Sequence, residues 1–139
     1  MLPKYVPPKE VIISERAPKA IGPYSLGIRA FPFVFTAGQA GIDPATGELV
    51  GGGIEAETRQ TLMNIKNILE SGGSSMTLVL KTTVFLRDMA DFTQMNTIYA
   101  EFFPGKPPAR STVQVAALPK GAAVEIEAIA MVTEQPGKP

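Results

Sequence analysis

The stretch Ala123-Val124-Glu125-Ile126-Glu127-Ala128-Ile129-Ala130, AVEIEAIA, decides how this chain is read. Its glutamates alternate with apolar residues, which is the period of a strand. Val124, Ile126 and Ala128 share one face, and Glu125 and Glu127 share the other. The strand before it, STVQVAAL at 111–118, alternates the same way and is led by Arg110. Pairing the two about a turn at Pro119-Lys120 sets Gln114 opposite Glu125. In that register Arg110, Thr112, Gln114, Glu125 and Glu127 share a polar face, and Val113 and Val115 join the apolar one. A slip of one residue would break both sets.

The apolar face needs a cover, and the sequence supplies two amphipathic helices. The first opens after GGG at 51–53 and carries Ile54, Thr58, Thr61, Leu62, Ile65, Ile68 and Leu69 at helical spacing. Gly72 and Gly73 end it. The second begins at Asp91, which has capping-box spacing to Gln94. Phe92, Met95, Tyr99 and Phe102 form its stripe, and Pro104 stops it. Between the helices, TLVLKTTVFLRD at 77–88 has the length and β-branching of a central strand. EVIIS at 10–14, SLGIRA at 25–30 and FVFTAGQ at 33–39 complete the strands, with turn chemistry in DPATGEL at 43–49. The order is β-β-β-α-β-α-β-β. This predicts one α+β domain over 1–139: a mostly antiparallel sheet with two helices on one face. Residues 1–9 read as an extended arm and TEQPGKP at 133–139 as a loose tail. The polar face has no cover within the chain. It is either open to water or covered by another subunit, and an interface of that kind suits a small polar pocket.

Composition narrows the chemistry. The 139 residues carry 13 basic and 13 acidic side chains, so nothing favours a polyanion or an anionic membrane as partner. The lysines are scattered, and no nucleic-acid partner is expected. GGG lacks the Gly-Lys-Ser/Thr ending of a phosphate-binding loop. There is no Cys and no His. Disulfides, thiolate or imidazole metal sites, and Ser-His-Asp or Cys-His catalysis are therefore excluded. Acid–base work falls to carboxylates, tyrosine, lysine, backbone or water. No Asp/Glu cluster suggests a metal. No stretch has signal-peptide or membrane-span length, and the chain reads as soluble and cytoplasmic.

Four segments resemble the signatures of one family. APKAIGPYS, FTAGQAGIDPATGEL, VFLRDMADFTQMNTIYAEFF and PPARSTVQVAALPKGAAVEIEAIA are similar to the Rid (YjgF) family, and more narrowly to its RidA branch of enamine/imine deaminases. The resemblance runs from about residue 10 to residue 132. It implies a chorismate-mutase-like α+β fold and a homotrimer with sites between subunits. It also implies cofactor-free hydrolysis of short 2-imino acids to 2-keto acids and ammonia.

The resemblance assigns roles residue by residue. Arg110, in PPARS, is either a solvated strand-end charge or a clamp for the substrate carboxylate. A guanidinium fork matches two carboxylate oxygens, and the motif favours the clamp. Alternation cannot choose between Glu125 and Glu127. The family motif places the functional acid at the first glutamate of EIEAIA, Glu125, holding water or shuttling a proton to departing ammonia. Glu127 is then structural. Tyr24, in GPY, lines the cleft. Gly38, in TAGQ, lets backbone approach the ligand; many relatives have Ser where Ala37 stands. Asn96 lines the cleft from the second helix. Thr112 stands where many bacterial relatives carry a reactive Cys, so thiol chemistry is impossible here. Two other functions stay open: a trimeric module that binds small carboxylates without turnover, and a ribonuclease or translation inhibitor. The absent His and the zero net charge weigh against the latter.

Overall fold

The two hydrophobic periods, 2 and 3.6, sort the chain as that reading expects. A computed structural model describes residues 8–133; most of the expected arm at 1–9 and nearly all of the tail at 133–139 lie outside the described residues. Within them the strands are β1 (Glu10–Ile12), β2 (Gly27–Ala30), β3 (Phe33–Thr36), β4 (Gln39–Ala40), β5 (Val79–Leu86), β6 (Ala109–Gln114) and β7 (Val124–Met131). The helices are α1 (Gly53–Ser71) and α2 (Phe92–Phe102). One sheet runs β1-β2-β3-β7-β5-β6, with β4 continuing beside β7 along the same edge as β3. All pairs are antiparallel except β5 with β6. The expected α+β architecture is therefore present.

The expected hairpin of the last two strands is not. β5 lies between β6 and β7, and β6 runs parallel to it, with Thr82 opposite Arg110 and Leu86 opposite Gln114. The reason is topological: β5, α2 and β6 form a crossover unit, which joins parallel neighbours. β7 then returns on the other edge of β5, with Phe85 opposite Glu125 and Thr83 opposite Glu127. Gln114 does not meet Glu125. Its Oε1 accepts the Met89 N–H at 2.7 Å.

The faces change accordingly. Thr82, Val84 and Leu86 point toward the helices, as do their β7 partners Ala128, Ile126 and Val124, all buried. Arg110 and Thr112 are level with Thr82 and Val84, so they too face the helices. The expectation that Arg110, Thr112 and Gln114 share a face with Glu125 and Glu127 is wrong, because two strands separated by a third have independent registers. Val113 in turn lies on the open face, exposed.

Both helices pack on the Val34–Val84–Ile126 face. Every residue of the predicted α1 stripe is buried. On α2 the buried residues are Met95, Ile98 and Tyr99, with Phe92 and Phe102 packed partly against the core. The expected capping box is absent: Asp91 makes no side-chain cap bond, and Asp88 Oδ1 instead accepts the Ala90 N–H in a preceding 3-10 turn. The other face is bare and more apolar than the sequence suggests. Phe33 and Phe35 stand opposite Met131 and Ile129, and all four are exposed, as are Val11 and Val113.

Candidate functional site

Arg110 is built into the edge of the sheet beneath α2. Pro107 and Pro108 stiffen the approach, and β6 begins one residue before it. Its guanidinium carbon lies 4.7 Å from the centre of the Tyr99 ring and 5.6 Å from that of Phe92. Contact with two rings restrains the guanidinium, which also shares a side-chain hydrogen bond with Tyr99, and a fork of five N–H donors suits an anion. Tyr99 is fixed in turn: its hydroxyl shares a buried 2.7 Å hydrogen bond with Thr82 Oγ1, and its ring packs on Phe103 at 4.7 Å. Burial pushes the Tyr99 phenol up, partly offset by the Thr82 bond and the Arg110 charge. An open cavity of about 510 Å³ lies against Arg110, Tyr99, Asn96, Phe103, Pro107 and Pro108. Asn96 Oδ1 and Thr112 Oγ1 are buried, with no hydrogen-bond partner among the described residues. Such atoms await a donor.

Glu125 belongs to a second cluster. β4 lies beside it, with Ala40 as its register partner. Between β3 and β4 the ladder is interrupted at Ala37-Gly38, and there the Ala128 N–H is taken by Thr36 Oγ1 at 3.0 Å rather than by backbone. Into this gap the Glu125 carboxyl folds over Gly38. A Cβ on Gly38 would stand 2.9 Å from Glu125 Cδ and closer still to Oε2. Glycine makes room here for the carboxyl's present seat and is not needed for its backbone angles. Tyr24, Lys19, Ile21, Ile42 and Pro119 close a small cavity of about 70 Å³ around Glu125 and Gly38. Burial, and secondly the like charge of Glu127, raise the Glu125 carboxyl from its ordinary value. A wider, largely apolar groove of about 540 Å³ adjoins through Tyr24 and Lys19. Its greater size carries less chemical meaning than the carboxyl in the small cavity.

The sequence-predicted residues thus form two groups. Arg110, Asn96 and Thr112 gather at the β6–α2 edge, on the helix side of the sheet. Tyr24, Gly38 and Glu125 gather at the β4–β7 end, where Glu125 faces the open side. Glu127, two residues on, is exposed. Sequence reasoning missed Tyr99, read as core only. The signal was available: Phe92, Asn96 and Tyr99 lie on one line of α2 at i, i+4, i+7, ending on a residue with a polar tip. Among the described residues no His/Cys/Asp/Glu group could hold a metal, and no helix is long and apolar enough to cross a membrane.

Comparisons with known proteins identify the family and the fold. The model of the endoribonuclease L-PSP family matches residues 14–132. RutC family protein PH0854 of Pyrococcus horikoshii is 57% identical, over 88% of this chain and 97% of that protein. A Mus musculus protein named 2-iminobutanoate/2-iminopropanoate deaminase is 48% identical, over 88% of this chain and 91% of its own length. Among solved structures, Escherichia coli TdcF with bound serine superposes with a TM-score of 0.86 at 41% identity, covering 90% of this chain and 100% of that one. The Escherichia coli YjgF gene product gives 0.84 at 42%, covering 88% and 98%. The chain belongs to the endoribonuclease L-PSP family, known also as the Rid (YjgF) family.

Proposed function

We propose that the protein is a cofactor-independent deaminase of short-chain 2-imino acids and their enamine tautomers, working in the cytoplasm as a homotrimer. The observation that carries this reading is the division of the site. A ring-stacked guanidinium suited to a carboxylate and a half-buried carboxyl suited to proton transfer project from opposite faces of one sheet. They act on one small substrate when the Arg110 edge of one subunit meets the Glu125 face of the next. The exposed Phe33, Phe35, Ile129 and Met131 supply an apolar surface for that meeting. The deaminase name of the mouse relative and the bound serine of TdcF, itself a small amino acid, support the substrate class.

In the proposed reaction Arg110 holds the substrate carboxylate in its fork. The Thr112 hydroxyl can donate to that carboxylate, Asn96 Oδ1 can accept from the imine N–H or a water, and Tyr24 walls the cavity. Glu125 takes a proton from a water whose oxygen attacks the imine carbon, while the C=N π electrons pass to nitrogen. The same carboxyl returns the proton to nitrogen. Glu125 then takes the hydroxyl proton of the carbinolamine and delivers it to the amino nitrogen as the C–N bond breaks, and 2-keto acid and ammonia result. A raised carboxyl pKa suits a group that both takes and gives a proton.

The test is competition with a trap. A threonine dehydratase or amino-acid oxidase generates the imine in the presence of semicarbazide. The protein at micromolar concentration should lower the yield of semicarbazone. An unchanged yield would move the assignment to a binding module.

A further inference from the structure

We propose that Glu57 and Asn64 of α1 are positioning residues for Glu125: a buried polar clamp that fixes the gap between β4 and β7 in which the carboxyl sits. The inference rests on the deaminase reading for its kinetic part. Glu57 and Asn64 lie two turns apart on the helix face that meets the sheet, buried among Leu62, Ile65 and Ile68. Neither is idle. Glu57 Oε1 accepts the Ala123 N–H at 2.8 Å, two residues before Glu125. Asn64 Nδ2 donates to Ala40 O at 3.1 Å and Ile42 O at 2.9 Å, and its Oδ1 accepts from Gln60 Nε2 at 2.9 Å.

The targets are what make this more than core stability. Ala40 is the register partner of Glu125 and lies two residues after Gly38. Ala123 leads into β7. One helix therefore grips both backbones that flank the Gly38–Glu125 contact. Gly41 lets β4 approach this closely, since a Cβ there would stand 2.8 Å from Glu57 Cα. Apolar side chains could fill the same volume, but they could not set the separation of two backbones. Buried polar groups bonded to fixed backbone atoms do so, because a shift would break those bonds. The interrupted ladder at Ala37-Gly38 makes the clamp necessary, since β4 is only two residues long and holds β7 weakly by itself.

The test uses the full chain and four variants: Glu57→Ala, Glu57→Asp, Glu57→Gln and Asn64→Ala. Misplacing a catalytic group by about 1 Å can cost on the order of 100-fold in rate. Glu57→Ala and Asn64→Ala should lower kcat by about tenfold or more, with KM changed by less than about threefold, because Arg110 is untouched. The limb of the pH profile that disappears in Glu125→Gln should move to lower pH in both, as the carboxyl becomes better hydrated. The other titratable groups about it are Glu127, Tyr24 and Lys19, and none is altered. Glu57→Gln keeps the acceptor for Ala123 and should restore kcat. Should Glu57→Ala not fold, Glu57→Asp, one methylene short, should show the same shift in milder form. The chemical shift of the Glu125 carboxyl carbon, followed by NMR against pH, reads the same displacement without turnover. It therefore stands even if the trapping assay shows no deaminase. A lower melting temperature with an unmoved Glu125 titration and unchanged kcat would overturn the clamp.

Discussion

Arg110 and Glu125 invite tests that separate holding from proton transfer. An ammonium is a point donor and cannot reproduce two parallel bonds to a planar carboxylate, nor stack on Tyr99 as a guanidinium does. Arg110→Lys should therefore lower kcat/KM by at least about tenfold, a loss of about 1.4 kcal/mol in the transition state. Steady-state kinetics on the folded variant checks this, and near-normal kinetics would make Arg110 a surface charge. Glu125→Gln keeps shape but not proton transfer, so kcat should fall by about 10²–10⁴-fold while keto-acid affinity, read by calorimetry, changes little. Glu127→Gln is the control with a signed outcome. Glu127 helps raise the Glu125 carboxyl. Removing its charge should lower the Glu125 pKa, so the acid limb of kcat/KM should move to lower pH with the maximum nearly intact. An unmoved limb would mean that burial alone sets the pKa. The sequence made these residues legible because their motifs are local. It left Tyr99, Glu57 and Asn64 unread, since each acts through a partner 17 to 66 residues away.

Elements rather than residues explain what the sequence could and could not convey. Strands and helices emerged from periodicity because burial imposes it locally, and α1 matched its predicted stripe throughout. Pairing did not, because alternation tells which residues share a face of one strand but not which strand lies next to it. The insertion of β5 between β6 and β7 is written in the crossover through α2, not in the polar pattern of AVEIEAIA. The break between β3 and β4 was hidden for a related reason, as FVFTAGQ reads as one strand until Thr36 replaces a backbone acceptor. That break yields a prediction. In Gly38→Ala the new methyl would meet the flexible end of Glu125. The carboxyl should rotate away at little cost to the fold. The thermal midpoint should hardly move, while kcat falls by about tenfold or more. A variant with both properties intact would show that Glu125 does not work from its seat over Gly38.

At the scale of the whole molecule the two half-sites make a further test possible. If each site takes Arg110 from one subunit and Glu125 from the next, two dead variants should revive one another. Arg110→Ala and Glu125→Gln chains, co-expressed in equal amounts, assort at random into cyclic trimers. Three-quarters of these are mixed, and each mixed ring holds one intact site of three, so activity should return to about one quarter of wild type. No recovery in a mixture shown by mass spectrometry to contain mixed trimers would place both residues of a working site in the same chain.

The opposition of Arg110 and Glu125 across one sheet has a last consequence, in the language of mass action. On the proposed shared site, a lone chain owns both groups yet no complete site, so it should have no residual rate to fall back on. The rate per chain must then depend on how many chains are present. Dilution below the assembly threshold should extinguish turnover more steeply than in proportion to concentration, without unfolding any chain.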